Sequence, residues 1–345
     1  MKHLDIQSLI RENLKGLAPY SSARDDFQGA GSVYLDANEN PFNTPYNRYP
    51  DPHQVSLKKK IAGIKKVKPE QLFLGNGSDE PIDLLIRSFC EPGKDNVLIP
   101  QPTYGMYSVS AAVNGVEIKT VKLTKVFDLD VPAIERTWDK RSKLLFVCSP
   151  NNPSGNLLDM ENIKFLLSAF RGLVIVDEAY IDFTDYPGFL PLLNEYNNLV
   201  VLQTLSKAWG LAGIRLGMCF ANQEVIRILD KIKPPYNINS MTQSVALENL
   251  QDESRKNGWV VEIRKQREIL KSNLLKTPVV QIVYPSDANF LLVKVTDAPK
   301  IYKELVNHGI IVRDRSNVIL CENGLRVTVG TANENSKLLE ALNQL

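Results

Sequence analysis

Thr204, Ser206, Lys207 and Arg215 place two hydroxyls, a primary amine and a guanidinium in one short stretch of the chain. They follow the apolar run Leu199–Leu202, which reads as a buried strand of a parallel sheet. Open α/β sheets bind ligands just outside the carboxyl ends of their strands, so Lys207 stands at the edge of a ligand crevice. An amine beside small donors and a guanidinium suits a phosphorylated aldehyde. The amine would form a Schiff base while its neighbours hold the phosphate. The cofactor with that chemistry is pyridoxal phosphate.

Other segments point to the same crevice. The apolar run 143–148 ends in Ser149-Pro-Asn-Asn-Pro-Ser-Gly155, and the run 172–176 ends in Asp177-Glu-Ala-Tyr180. Asp177, directly after a β-branched run, is placed to pair with a pyridine nitrogen and keep it protonated, so that the ring accepts electrons. Asn152 and Tyr180 can both hydrogen-bond the ring's 3-oxygen. Singly, Asp177 also reads as a helix N-cap and Asn152 as a turn residue; their order along the chain favours the shared site.

The phosphate cup is expected after the run 71–74, where Gly75-Asn-Gly-Ser-Asp79 leads into a helix with Pro81 in its first turn. Free N–H groups and the helix dipole make such a start an anion site, with Gly77, Ser78 and Asp79 donating. Tyr104 follows the apolar run 97–99 and can stack on a flat ring; a core or interface tyrosine is the alternative.

Around these segments the pattern is α/β. Residues 1–45 read as an arm and loop containing an amphipathic segment, Ile6–Leu17. Residues 46–245 alternate strands with helices, as a parallel sheet requires. Residues 246–345 read as a smaller α+β unit completed by the arm. A long helical pattern runs from Asn239 to about Lys276, and strands are expected at 281–284, 289–295, 309–312 and 324–329. The capping box Thr331–Glu334 opens the last helix. The chain has 345 residues, enough for one large and one small domain.

Composition narrows the partners. Lys plus Arg total 41 against 39 for Asp plus Glu, so no global field points to nucleic acid. The lysine-rich stretch 57–68 carries Leu57, Ile61 and Ile64 at helical spacing, which makes its lysines a solvated helix face. Cys90, Cys148, Cys219 and Cys321 are widely spaced and form no metal motif. With no apolar signal region and no apolar span of membrane length, the expectation is a soluble cytoplasmic protein without a metal.

The chain resembles the histidinol-phosphate aminotransferase family of fold-type I pyridoxal-phosphate enzymes, from Ala18-Pro-Tyr20 to Arg326–Thr331. Ser-Pro-Asn-Asn-Pro and Asp-Glu-Ala-Tyr are shared across the wider class. More particular are Leu35–Pro41, Asn47-Arg-Tyr-Pro50, Phe89–Lys94 with Tyr104-Gly-Met-Tyr107, and Gly309–Asp314. Asn43 departs from a frequent glycine, which affects loop shape alone. The resemblance implies a large domain with a mostly parallel seven-stranded sheet flanked by helices, plus the small α+β domain. It implies that Arg313, Arg326 and Tyr20 grip the substrate's phosphate, and that Asn38 and Glu39 face its imidazole. Tyr49 would cross a homodimer interface to the neighbour's cofactor phosphate, so that sites are shared.

The implied reaction is transamination between L-histidinol phosphate and 2-oxoglutarate, giving imidazole-acetol phosphate and L-glutamate in histidine biosynthesis. Lys207 moves the proton and Asp177 holds the pyridine nitrogen. Three alternatives stay open: an aromatic or broad amino-acid aminotransferase, a threonine-phosphate decarboxylase on the same fold, and a cofactor-binding regulator. Surface ion pairs remain an alternative reading for Arg313 and Arg315, and a strand-end role for Arg326.

Overall fold

The computed structural model describes residues 4–19 and 33–345, and Tyr20 lies outside them. Among the described residues eleven strands form two sheets. The larger contains β1 (Leu72–Asn76), β2 (Asn96–Gln101), β3 (Glu117–Lys122), β4 (Ser142–Cys148), β5 (Leu173–Asp177), β6 (Leu199–Thr204) and β7 (Leu216–Ala221). Their order is β1-β7-β6-β5-β4-β2-β3, and β7 alone runs antiparallel to its neighbours. The smaller, antiparallel sheet has the order β10-β11-β9-β8, from β8 (Val280–Val283), β9 (Phe290–Val295), β10 (Arg313–Asp314) and β11 (Gly324–Thr328).

Period-two alternation explains why the central strands are apolar throughout. Leu145, Val147, Val174, Val176, Leu199 and Val201 pack on one side of the large sheet. Leu144, Phe146, Leu173, Ile175, Val200 and Leu202 pack on the other. A sheet covered on both faces buries both sets. Asp177 therefore sits at the end of a buried strand, in register with Cys148 on one side and Leu202 on the other. Between β2 and β4 the chain order reverses direction across the sheet, since β3 lies outward of β2 while β5, β6 and β7 continue past β4. That is where open α/β sheets form their binding crevice.

The stripe on the lysine-rich helix Val55–Lys65 is as read from its spacing, with Leu57 and Ile61 buried. Thr331 and Glu334 form the capping box at the start of Ala332–Leu342. Two readings need correction. The helical pattern from Asn239 is two helices, Ser240–Asn249 and Glu253–Leu274, because Asp252 caps the second and interrupts the first. The strand expected at 309–312 forms only at Arg313–Asp314, since the β-branched run before it is not paired to the sheet. The Ile6–Leu17 segment is two one-turn helices, Ile6–Leu9 and Glu12–Lys15. Strand β7 was not read from sequence: its glycine and its closeness to the turn at Arg215 hide a short, fully buried run. Among the described residues no helix is long and apolar enough to cross a membrane.

Candidate active site

The carboxyl ends of β4, β5 and β6, with the segments after β1 and β2, enclose a cavity of about 160 Å³. Ser78, Asp79, Tyr104, Asn152, Asp177, Tyr180, Thr204, Ser206, Lys207 and Arg215, all expected from sequence, line it together. Cys148, Ala179 and Ala212 complete the wall.

Asp177 lies at the floor, 3 % exposed. Tyr107 donates its hydroxyl to Asp177 Oδ2 at 2.5 Å, and the Ala179 N–H donates to Oδ1 at 3.1 Å. Burial presses the Asp177 carboxyl above the ordinary carboxylate range, and these two hydrogen bonds oppose the rise. Among the described residues it has no ion-pair partner. Tyr107 was missed as a site residue. It is fully buried in the first turn of Met106–Val113, stacked on Phe146 at 4.8 Å. Its signal was a tyrosine one helical turn after Tyr104, because a buried phenol needs a hydrogen-bond partner.

Lys207 stands in the loop after β6, with Nζ 5.6 Å from the centroid of the Tyr180 ring. Crowding by the pocket walls lowers its pKa first, and the charge of Arg326 adds to the effect while Asp177 opposes it. That direction favours the neutral form of the amine, the form that acts as a nucleophile. Asn152 Nδ2 lies 3.4 Å from the Tyr180 hydroxyl, and its Oδ1 accepts from Arg326 Nη1 at 2.6 Å.

At the other end, the helix Asp79–Phe89 points its N-terminus at the cavity. Its first N–H groups have no intrahelical acceptor, and Ser78 makes no side-chain cap. Arg215 takes positive φ (54°) and donates to Asp79 Oδ2 at 3.3 Å, while Tyr104 donates to Asp79 Oδ1 at 3.0 Å. The Asp79 carboxylate thus orients a cation and a ring, beyond the N–H expected of it. Gly77 (φ 73°) lies outside the cavity lining, but its backbone N–H binds the Arg215 carbonyl at 2.8 Å. A Cβ at Gly77 would fall 2.5 Å from the Arg215 guanidinium. Thr204 and Ser206 hydroxyls are linked at 3.0 Å beside it.

These groups fit pyridoxal phosphate. A buried carboxylate without a cation suits a pyridinium, and the glycine cradle with the helix N-terminus and Arg215 suits a phosphate. Asn152 and Tyr180 suit a ring oxygen, and Lys207 suits the aldehyde.

The expected substrate residues divide. Arg326 reaches the cavity through Asn152, and Arg313 lies opposite it in the β10–β11 ladder. Asn38, Glu39 and Tyr49 line a separate recess of about 430 Å³. There Glu39 accepts from the Tyr49 N–H at 2.6 Å and from Arg48 at 2.8 Å, and Tyr49 stacks on Tyr236 at 4.4 Å. A single chain therefore does not bring these three to its own cavity.

Residues 33–342 match the family described as aminotransferase class I and II. The histidinol-phosphate aminotransferase of Cytophaga hutchinsonii is 54% identical over 341 residues, 98% of each chain. Among solved structures, the histidinol-phosphate aminotransferase from Clostridium acetobutylicum superposes with a TM-score of 0.79 at 26% identity, over 89% of this chain and 97% of that one. The Sinorhizobium meliloti enzyme, solved in complex with pyridoxal-5'-phosphate, shares the fold with a TM-score of 0.78 at 21% identity, over 86% of this chain and 82% of that one. The chain belongs to the class I and II aminotransferases and, within them, to the histidinol-phosphate aminotransferase family.

Proposed function

We propose that the chain transaminates L-histidinol phosphate with 2-oxoglutarate, giving imidazole-acetol phosphate and L-glutamate in L-histidine biosynthesis. The observation that carries this reading is the Arg326–Asn152 hydrogen bond, which sets an anion-binding guanidinium beside the Lys207 and Asp177 pocket. The cofactor is pyridoxal 5'-phosphate; when bound it supplies an aldehyde that accepts the amino group and a protonated ring that draws electrons from the reacting carbon.

The chain's own residues do the rest. Ser78, Thr204, Ser206 and Arg215, with the N–H group at Asp79, hold the cofactor phosphate, and Gly77, whose own N–H is bound to the Arg215 carbonyl, shapes the turn that cradles it. Tyr104 flanks the ring, Asn152 and Tyr180 orient its oxygen, and Asp177 keeps its nitrogen protonated. Lys207 Nζ takes the proton from the substrate's amine-bearing carbon as a general base. Arg326 and Arg313, joined by Tyr20, bind the substrate phosphate, which pins that carbon within reach of Lys207.

In this reading residues 46–245 hold the cofactor and residues 246–345 carry the arginines; the arm does not complete the small domain as expected, because Ile6, Leu9 and Ile10 bury their apolar side chains in the core of the large sheet. The enzyme works as a cytoplasmic homodimer. Tyr49, on the recess with Asn38 and Glu39, reaches the neighbour's cofactor phosphate, and Asn38 and Glu39 meet the imidazole. Tyr49, half exposed and on a recess apart from its own chain's cavity, supports a site finished from outside.

Half-transamination tests the reading. The cofactor-loaded protein is mixed with one amine at a time and its absorption spectrum followed. Conversion with histidinol phosphate and glutamate, and poor conversion with phenylalanine, is expected. Phenylalanine matching histidinol phosphate means a broad aromatic enzyme, and carbon dioxide from threonine phosphate means a decarboxylase.

A further inference from the structure

Strand register places three arginines on one face of the β10–β11 ladder. Arg313 lies opposite Arg326, and the Arg315 N–H donates to the Gly324 carbonyl at 2.8 Å, extending the ladder by one residue. Side chains alternate along strands, so Arg313 and Arg315 share a side, and Arg326 shares it across the ladder. Leu325 and Val327 point the opposite way, into the core of the small sheet. The arginine side is the one that meets the pocket, since Arg326 binds Asn152 and packs 5.4 Å from the Phe290 ring centroid.

Among the described residues none of the three has a carboxylate partner. Asp314, between Arg313 and Arg315, gives Oδ1 to the Ser316 N–H at 2.7 Å instead. Among the described residues Arg315 has no side-chain hydrogen-bond partner, and its Nε is shielded from water. Burial, then the charges of Arg326 and Arg313, press its guanidinium below the usual range. Gly324, across the ladder, has no side chain to cover it, and a Cβ there would fall 2.6 Å from the Cys321 carbonyl. A half-buried cation with an orphaned donor and two like charges beside it is costly until an anion completes the set.

We propose that Arg315 is a third anchor for the substrate's phosphate and selects a dianionic phosphate monoester over a carboxylate. The inference deepens the function proposed above and rests on it. A phosphate monoester carries nearly two charges and three strong acceptor oxygens, enough to engage three guanidiniums. A carboxylate has one charge and two oxygens, which a single bidentate arginine satisfies. Arg315 therefore acts mainly on the phosphorylated partner, while Arg326 serves both substrates in turn.

The test compares wild type, Arg315→Gln and Arg315→Lys as cofactor-loaded enzymes. Loss of a charge-assisted hydrogen bond should raise KM for histidinol phosphate by roughly ten- to a hundredfold in Arg315→Gln. The change for glutamate should be much smaller, and Arg315→Lys should recover part of the loss. Inorganic phosphate should inhibit competitively against histidinol phosphate, and about tenfold more weakly in Arg315→Gln. An unchanged cofactor spectrum and thermal midpoint confirm that the variants are folded. Equal KM increases for both substrates, or unchanged phosphate inhibition, overturns the proposal. A wild-type enzyme that ignores histidinol phosphate sinks the parent reading instead. Calorimetric binding of inorganic phosphate to the loaded protein then decides Arg315 by itself: weaker binding in Arg315→Gln supports the anchor, and equal binding overturns it.

Discussion

Arg326 and Asn152 are hydrogen-bonded at 2.6 Å although 174 positions separate them in the chain. A guanidinium only donates, so Asn152 turns its oxygen to Arg326 and leaves Nδ2 toward Tyr180, 3.4 Å away. The amide proposed to steady the cofactor is thus oriented by the arginine proposed to meet the substrate. In the proposed function, substrate binding and cofactor orientation share this one hydrogen bond.

Arg326→Ala should therefore lose both half-reactions. Removing the charge-assisted bonds should cost roughly 10²-fold in single-turnover rate with histidinol phosphate and with glutamate. The cofactor's absorption should also shift, because Asn152 is released. Stopped-flow rates with each donor check this; a variant slow with histidinol phosphate alone would separate Arg326 from the glutamate step.

Lys207→Ala should remove the amine that bonds the cofactor and the base that moves the proton. Loss of the base alone costs ~10² to 10⁴ in rate. Borohydride reduction of the loaded wild-type protein, followed by peptide mapping, should label Lys207. A label on another lysine would overturn the assignment.

Most of the cavity was legible because each of its residues follows a strand whose apolar run marks it. Asp177, Asn152 and Lys207 sit at the carboxyl ends of β5, β4 and β6, and order along the chain becomes adjacency in a parallel sheet. Tyr107 and the carboxylate role of Asp79 were not legible in this way, since each depends on a contact between separate segments. The strand β7 escaped because antiparallel insertion into a parallel sheet follows no alternation of strand and helix. Asn38, Glu39 and Tyr49 came from resemblance alone, and within one chain they line a different recess. A surface ion pair is the alternative that sequence offers for Arg313 and Arg315, but pairing with Gly324 turns Arg315 onto the arginine face.

Asp177→Asn should still bind cofactor but transaminate poorly, because an amide cannot hold the pyridinium charge. Tyr107→Phe should act in the same direction and more mildly. It removes one of the two hydrogen bonds that hold the carboxylate in place and favour its charged form. A loss of about tenfold in kcat with little change in KM is expected, in line with one hydrogen bond to a charged group. The nitrogen-15 shift of labelled cofactor should move toward the unprotonated ring. Unchanged rates and an unchanged shift would mean that Tyr107 only fills the core.

Tyr49→Phe chains mixed with Lys207→Ala chains should regain activity after subunit exchange. If Tyr49 serves the neighbour's cofactor, one site in each heterodimer carries neither lesion. The site with both lesions stays silent. No recovery in verified heterodimers would show that each chain completes its own site.

Glu178, next to Asp177, gives a stability prediction with a definite sign. It is 1 % exposed and accepts from Gln203 Nε2 at 2.8 Å and from the Phe189 N–H at 2.6 Å. Burial pushes its carboxyl up to about 7, against 4.5 for an ordinary glutamate. Between those values the folded chain keeps a proton that the unfolded chain has released. Stability therefore falls as pH rises through this window, and the full cost is present above about 7. Glu178→Gln removes the ionisation. Its carbonyl can keep the Phe189 N–H, and its amide can donate to Gln203 Oε1, which is buried without a partner. The variant should be more stable than wild type at pH 8, by up to roughly 3 kcal/mol for a shift of this size. The advantage should shrink toward zero as pH falls to about 5. Thermal midpoints of both chains across this range check it, and a difference that does not vary with pH would mean that Glu178 is already ionised in the fold at the acid end.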